Sequence, residues 1–97
     1  METRIITKNE EKEQTELLRK EVFDLKQTSN YYLDKILNND LYVLATLDQK
    51  NIVAGCYFHR FDTFLVIDQV FVKKEYQNTG LKLGRELIKK LILSKEN

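Results

Sequence analysis

Residues 64–72, FLVIDQVFV, constrain the fold more than any other segment. A strand built from them is apolar on both faces, with Phe64, Val66, Val70 and Val72 alternating with Leu65, Ile67 and Phe71. Strict alternation places Asp68 between Val66 and Val70 on one face and Gln69 on the other. A strand of this kind needs cover on both sides, so the pattern predicts a central strand of a sheet with helices packed on it. With 97 residues to build from, the chain has room for one small domain.

The other elements follow from periodicity. Arg4 to Thr7 reads as a first strand, and Asn9 followed by Glu10, Glu11 and Glu13 marks a helix start, because acidic groups complement the positive end of the helix dipole. Leu18, Val22 and Leu25 give that helix its apolar stripe. Gln27 to Asn30 break it and supply a cap for a short second helix, in which Tyr32, Ile36 and Leu37 share a face until Asn38-Asn39-Asp40 end it. Leu41–Leu47 and Ile52–Phe61, separated by the polar turn Asp48 to Asn51, read as an antiparallel hairpin, and Asp62-Thr63 leads into Phe64–Val72. Finally Leu83, Leu87, Ile88, Leu91 and Ile92 recur at helical spacing among lysines, the mark of an amphipathic helix. The order is strand, two helices, three strands, helix, which is an α+β chain with a mainly antiparallel sheet.

Composition excludes several classes of function. A 42% hydrophobic share and 16 basic against 15 acidic residues describe a globular chain, not a disordered one. The net charge of +1 argues against a nucleic-acid or membrane-surface partner. One cysteine closes no intramolecular disulfide, and Cys56 with the single histidine, His59, makes no Cys/His zinc site, so no metal is expected. No apolar run reaches the length of a membrane span and the first residues begin no signal sequence, so a cytoplasmic protein is expected. Cys56, on one strand face with Ala54 and Phe58, reads as a small buried hydrophobe, and His59 as a residue making a sheet or surface hydrogen bond.

The segment Val70 to Ile88, VFVKKEYQNTGLKLGRELI, carries the chemistry. A strand runs into a loop of Gln77, Asn78, Thr79 and Gly80, and the loop opens the last helix. Amides at such a junction have no intrahelical acceptor and sit at the positive end of the dipole, which suits an anion. From Lys73 onward seven basic residues face three acidic ones, an excess that could attract phosphate or could be a solvated lysine-rich face. A glycine at a strand-to-helix turn is also what plain turn geometry asks for.

Gln77-Asn78-Thr79-Gly80-Leu81 resembles the Q/R-x-x-G-x-G/A acetyl-CoA signature of the GNAT superfamily of N-acetyltransferases as far as the first glycine. Lys82-Leu83 then intervene, so that Gly84-Arg85-Glu86-Leu87-Ile88 arrives two residues late. Ile52-Val53-Ala54-Gly55 and Asp68-Gln69-Val70-Phe71-Val72 resemble the strands that precede the signature, and the likeness covers roughly residues 41–93. It implies a GNAT-like fold that lacks the usual C-terminal strands, and acetyl-CoA as acetyl donor. The donor's pantetheine arm would pair with the backbone of Val70, Phe71 and Val72, and its pyrophosphate would lie on the amides of Gln77, Asn78, Thr79 and Gly80. Leu81, Lys82 and Gly84 would contribute if the offset reshapes the loop, with Lys82 or Arg85 neutralising charge. Lys82 stands where the second glycine is usual, and either a reshaped phosphate turn or a locally rewound helix start would accommodate it.

The resemblance also implies transfer to an amine, which must be neutral to attack. Asp68 is the candidate base; the competing reading is a structural Asp bonded to nearby backbone. Tyr31 and Tyr32 border the expected acceptor pocket or serve as core and rim aromatics. In the family a further parallel strand and a tyrosine follow the last helix, while this sequence ends at Ser94-Lys95-Glu96-Asn97. A homo-oligomer that completes the sheet is therefore expected. The alternative functions are a non-catalytic remnant acting as a binding or assembly module and, against the charge balance, a nucleic-acid binder through the last helix.

Overall fold

The computed structural model describes residues 1–26 and 29–95, and the expected capping residues Gln27 and Thr28 lie outside the described residues. Strand β1 (Glu2–Ile6) is followed by α1 (Asn9–Val22), α2 (Tyr31–Leu37), β2 (Tyr42–Asp48), β3 (Asn51–Phe61), β4 (Phe64–Val72) and α3 (Leu83–Lys95), with a single 3-10 turn at Lys74–Tyr76. The sheet is an antiparallel meander in the order β1-β2-β3-β4. Both hairpins turn in two residues, with Gln49 and Lys50 at positive φ in the first and Asp62 in the second, as tight hairpins require.

Both early helices end the same way. Asp24 and Asn39 take left-handed φ values of 51° and 62°, and the amides of Leu25 and Asp40 return to the carbonyls of Lys20 and Lys35. These are Schellman closures, which need a residue tolerant of positive φ. The first of them pulls Leu25 out of the helix before it completes the apolar stripe, so Leu25 is exposed where the sequence pattern had it buried.

The sheet separates two apolar layers. Beneath α1 and α2 lie Ile6, Leu18, Ile36, Val43, Ala45, Tyr57 and Phe71; beneath α3 lie Leu44, Ala54, Cys56, Phe58, Leu83, Leu87 and Leu91. The buried side of α1 is largely polar: Lys12, Thr15, Glu16 and Arg19 are buried with Leu18. Glu16 accepts hydrogen bonds from Arg19 Nε (2.7 Å) and the Tyr57 hydroxyl (2.9 Å), while Lys12 Nζ donates to the Ile36 carbonyl and to Asn39 Oδ1 (both 2.8 Å). Buried charges persist when each is paired in this way.

Two expectations about β4 need correction. It is the edge strand among the described residues, and of its residues only Phe71 is fully buried. The strict alternation also fails. Tyr57 pairs with Gln69 but Phe58 pairs with Ile67, so Asp68 is an extra residue in the ladder, a β-bulge. The bulge reverses the phase of the strand: Leu65 and Ile67 join Val70 and Val72 on the α3 side, while Phe71 packs beneath α1. Asp68 therefore shares a face with Val66, the partner of His59, but not with Val70.

Candidate functional site

Two groups of residues meet on β4. The first is the turn from its C-terminal end into α3. Gly80 has φ 86°, and Asn78 (59°) and Lys82 (51°) are also left-handed, whereas Thr79 and Leu81 are not. This alternation of sign is the one that forms anion-binding concavities from successive amides. Lys82 takes the left-handed conformation that a glycine would adopt without strain. A cavity of about 540 Å³ is lined by Val72, Tyr76, Gln77, Asn78, Gly80, Lys82, Leu83 and Gly84. Among the described residues the amides of Leu83, Gly84 and Arg85 meet no protein acceptor, and the first intrahelical bond of α3 runs from Glu86 to the Lys82 carbonyl.

Not every expected amide is open. That of Gln77 donates to the Lys74 carbonyl (3.2 Å), and that of Leu81 to Thr79 Oγ1 (3.4 Å). The Gln77 side chain donates from Nε2 to the Val72 carbonyl (2.8 Å), tying the loop to the end of β4. Tyr76 anchors the loop from below through its hydroxyl bond to Asp48 (2.7 Å), and that bond is the main cause holding its phenol above the usual range. A Cβ on Gly80 would meet no atom, so the positive φ is what asks for glycine there. Lys82 is exposed on the cavity wall, and Arg85, one residue beyond the lining residue Gly84, is exposed outside it. The side chain of Phe71 belongs to the core, so only its backbone could face a ligand along β4.

The second group lies at the bulge. Asp68 Oδ2 is 2.7 Å from His59 Nδ1, and the two side chains are 27% and 32% exposed. With Tyr31, Tyr32, Lys35, Asp40 and Leu41 they line a cavity of about 250 Å³. Gln69 Nε2 donates to the Tyr32 hydroxyl (3.2 Å), and the Arg19 guanidinium stacks 4.3 Å from the Tyr32 ring centroid. Tyr31 meets Tyr32 edge-on and is exposed. The bond to Glu16 raises the Arg19 pKa, and burial, followed by Glu16, raises that of Tyr57. Asp68 and Val72 are four residues apart, about 13 Å along a strand.

Sequence reasoning missed the His59–Asp68 pair, because it depends on how β3 and β4 pair: His59 stands opposite Val66, and Asp68 is the unpaired residue two positions on. A signal was available: Asp68-Gln69 are adjacent polar residues in an apolar strand, and a bulge lets both turn toward α2. Cys56 is buried as expected, and burial, with a smaller push from Asp68, carries its thiol up to about 12. Among the described residues no cluster of three or more His, Cys, Asp or Glu is placed to hold a metal ion, and no helix is long and apolar enough to cross a membrane.

Comparison with known proteins agrees with the resemblance seen in the sequence. The family model described as Acetyltransferase (GNAT) family matches residues 7–95. A ribosomal-protein-alanine N-acetyltransferase from Brucella melitensis biovar Abortus 2308 superposes with a TM-score of 0.77 at 14% identity, covering 99% of this chain and 72% of that one. An aminoglycoside acetyltransferase from an uncultured soil metagenomic sample, in complex with sisomicin, gives 0.77 at 23% identity, covering 98% and 69%. A GNAT family acetyltransferase from Brucella melitensis in complex with acetyl-CoA gives 0.73 at 13% identity, covering 98% and 69%. No curated protein matches the chain.

Proposed function

The chain belongs to the acetyltransferase (GNAT) family, and from that premise we propose that it transfers an acetyl group from acetyl-CoA to a primary amine of a small molecule or peptide. The observation that carries this reading is the set of open amides at the first turn of α3, beside a cavity at the end of β4. A diphosphate is the anion such a turn suits, since the dipole and the amides act on it together. The free outer edge of β4 at Val70 and Val72 offers backbone groups to an extended arm running from that cavity toward Asp68. When bound, acetyl-CoA supplies an activated acyl carbon. The residues at the bulge supply a place to hold the acceptor amine and to remove its proton, and Tyr31 and Tyr32 form one wall of that place. Lys82, on the cavity wall, and Arg85, just outside it, offset phosphate charge.

A second reading, a non-catalytic module that binds or assembles without transfer, is favoured by the Gln77 bond to the Val72 carbonyl, which closes one of the β4 edge groups. Two further parts of the proposal are a cytoplasmic location, which suits a chain whose single cysteine is a buried thiol, and a second copy of the chain pairing along the first half of the β4 edge, ahead of the stretch at Val70 and Val72 that the donor's arm would use. Light scattering tests the last part, with a monodisperse monomer contradicting it.

Thermal unfolding with and without acetyl-CoA tests the main reading. A ligand at 100 times its Kd adds about 2.7 kcal/mol, which for a domain of this size raises Tm by roughly 10 °C or more. No shift at millimolar acetyl-CoA would overturn the proposal. Release of free CoA that depends on added amine separates the catalytic reading from the binding module.

A further inference from the structure

We propose that His59, not Asp68, is the group that takes the proton from the acceptor amine, and that Asp68 is a positioning residue that acts through the imidazole. The inference rests on the amine-acetylation reading above and assigns the roles within that site.

An ionised carboxylate only accepts hydrogen bonds, so a 2.7 Å contact between Asp68 Oδ2 and His59 Nδ1 requires the proton to sit on Nδ1. A neutral imidazole protonated at Nδ1 carries its free lone pair on Nε2. Among the described residues that nitrogen makes no hydrogen bond to the protein, so it is the basic atom of the pair left for a substrate. Asp68, by contrast, has one oxygen already committed to the ring. The register places the pair: His59 stands opposite Val66, and Asp68, the unpaired residue two positions further on, lies diagonally across from it on the same face. The remaining titratable and charged groups on the cavity wall are Tyr31, Tyr32 and Lys35 from α2 and Asp40 from the loop after it. Lys35 and Asp40 are opposite in sign, and the hydrogen bond between Asp68 and His59 is the contact that orients the ring toward the cavity's wall residues.

The step balances as follows. Nε2 accepts one proton from the ammonium form of the acceptor. The freed nitrogen lone pair forms the N–C bond to the acetyl carbon while the C–S bond breaks. The departing sulfur takes the second proton lost by the nitrogen, and the imidazolium returns its proton to water.

Because His59 is the only histidine, its ring signals carry no overlap. In a long-range 1H–15N spectrum of the histidine-labelled chain, without ligand and at neutral pH, Nδ1 should be protonated and Nε2 bare, and Asp68→Ala should lose this preference. In acetylation assays with spermidine, a lysyl peptide and an aminoglycoside as probe amines, His59→Gln should lower kcat by 100-fold or more while leaving the KM for acetyl-CoA unchanged. Free imidazole should restore part of the rate to His59→Gly. A proton on Nε2 in the native chain, or a His59→Gln rate within threefold of the parent, overturns this assignment while leaving the acetyltransferase reading standing. Failure of the parent chain to bind acetyl-CoA by calorimetry overturns both.

Discussion

Replacing Gly55 by alanine tests the packing behind β4. A Cβ built there would lie 2.6 and 2.7 Å from Cζ and Cε2 of Phe71 and 3.0 Å from Cγ2 of Thr15. Carbon atoms settle at about 3.5–4.0 Å, so an overlap of roughly 1 Å has to be relieved. The ring has nowhere to go. Phe71 stands opposite Gly55 in the ladder, is 2% exposed, and packs edge-on against Tyr57 at 5.3 Å, and Tyr57 is held by its bond to Glu16. Overpacking of this kind costs about 1–3 kcal/mol, against about 0.5–1 kcal/mol gained because alanine loses less backbone freedom on folding than glycine. The net loss should be about 1–2 kcal/mol, which lowers Tm by roughly 5–15 °C in a domain of this length. Differential scanning calorimetry reads it directly. Adding Phe71→Leu makes room for the methyl group, so the double variant should lose less than the sum of the single variants, with a coupling of about 1 kcal/mol. A Tm for Gly55→Ala at or above that of the parent, or strict additivity in the cycle, would refute the reasoning.

The other two predictions concern α3 and Cys56. At Gly84 a Cβ would lie 3.6 Å from methyl carbons of Val70 and Val72, an ordinary contact, so Gly84→Ala should raise stability by about 0.5–1 kcal/mol through helix propensity, and a lower Tm would contradict it. Burial holds the Cys56 thiol protonated up to about 12, whereas an unfolded chain ionises it near the ordinary value of 9.0. Its folded pKa is raised, so the stability it contributes is present below pH 9 and is lost as pH rises from there toward 12. Cys56→Ala should therefore flatten the alkaline limb of the stability curve, and Ellman's reagent should label the native thiol far more slowly than the denatured one; equal labelling rates would sink the argument.

The parts of the fold that local chemistry dictates were legible in the sequence. Residues 64–72 form a strand with the expected ends because the turn at Asp62-Thr63 and the charged pair Lys73-Lys74 bound an unbroken apolar run. Leu83, Leu87 and Leu91 line the buried side of α3 at the expected spacing, whereas Ile88 is only half-buried and Ile92, read as part of the same stripe, is exposed. The features that depend on two segments meeting were not legible. The buried side of α1 carries Lys12, Glu16 and Arg19, which read as solvent positions until Tyr57, Ile36 and Asn39 arrive from elsewhere in the chain to bind them. For the same reason Leu17, apolar in sequence, points outward and is exposed. In the site, Gly80 and the residues around it were visible because positive φ and glycine are a local matter. The His59–Asp68 pair depends on the register of β3 against β4, which no single strand records.

The extra residue leaves the two cores as an uninterrupted strand would have them. With Asp68 looped out of the ladder, Ile67, Val70 and Val72 lie toward α3 and Gln69 and Phe71 toward α1 and α2, the alternation of a strand one residue shorter. Deleting it would keep all five on their present faces and take away only the carboxylate that meets His59. The length of β4 is therefore negotiable at this one point, and what is lost with it is chemistry and not packing.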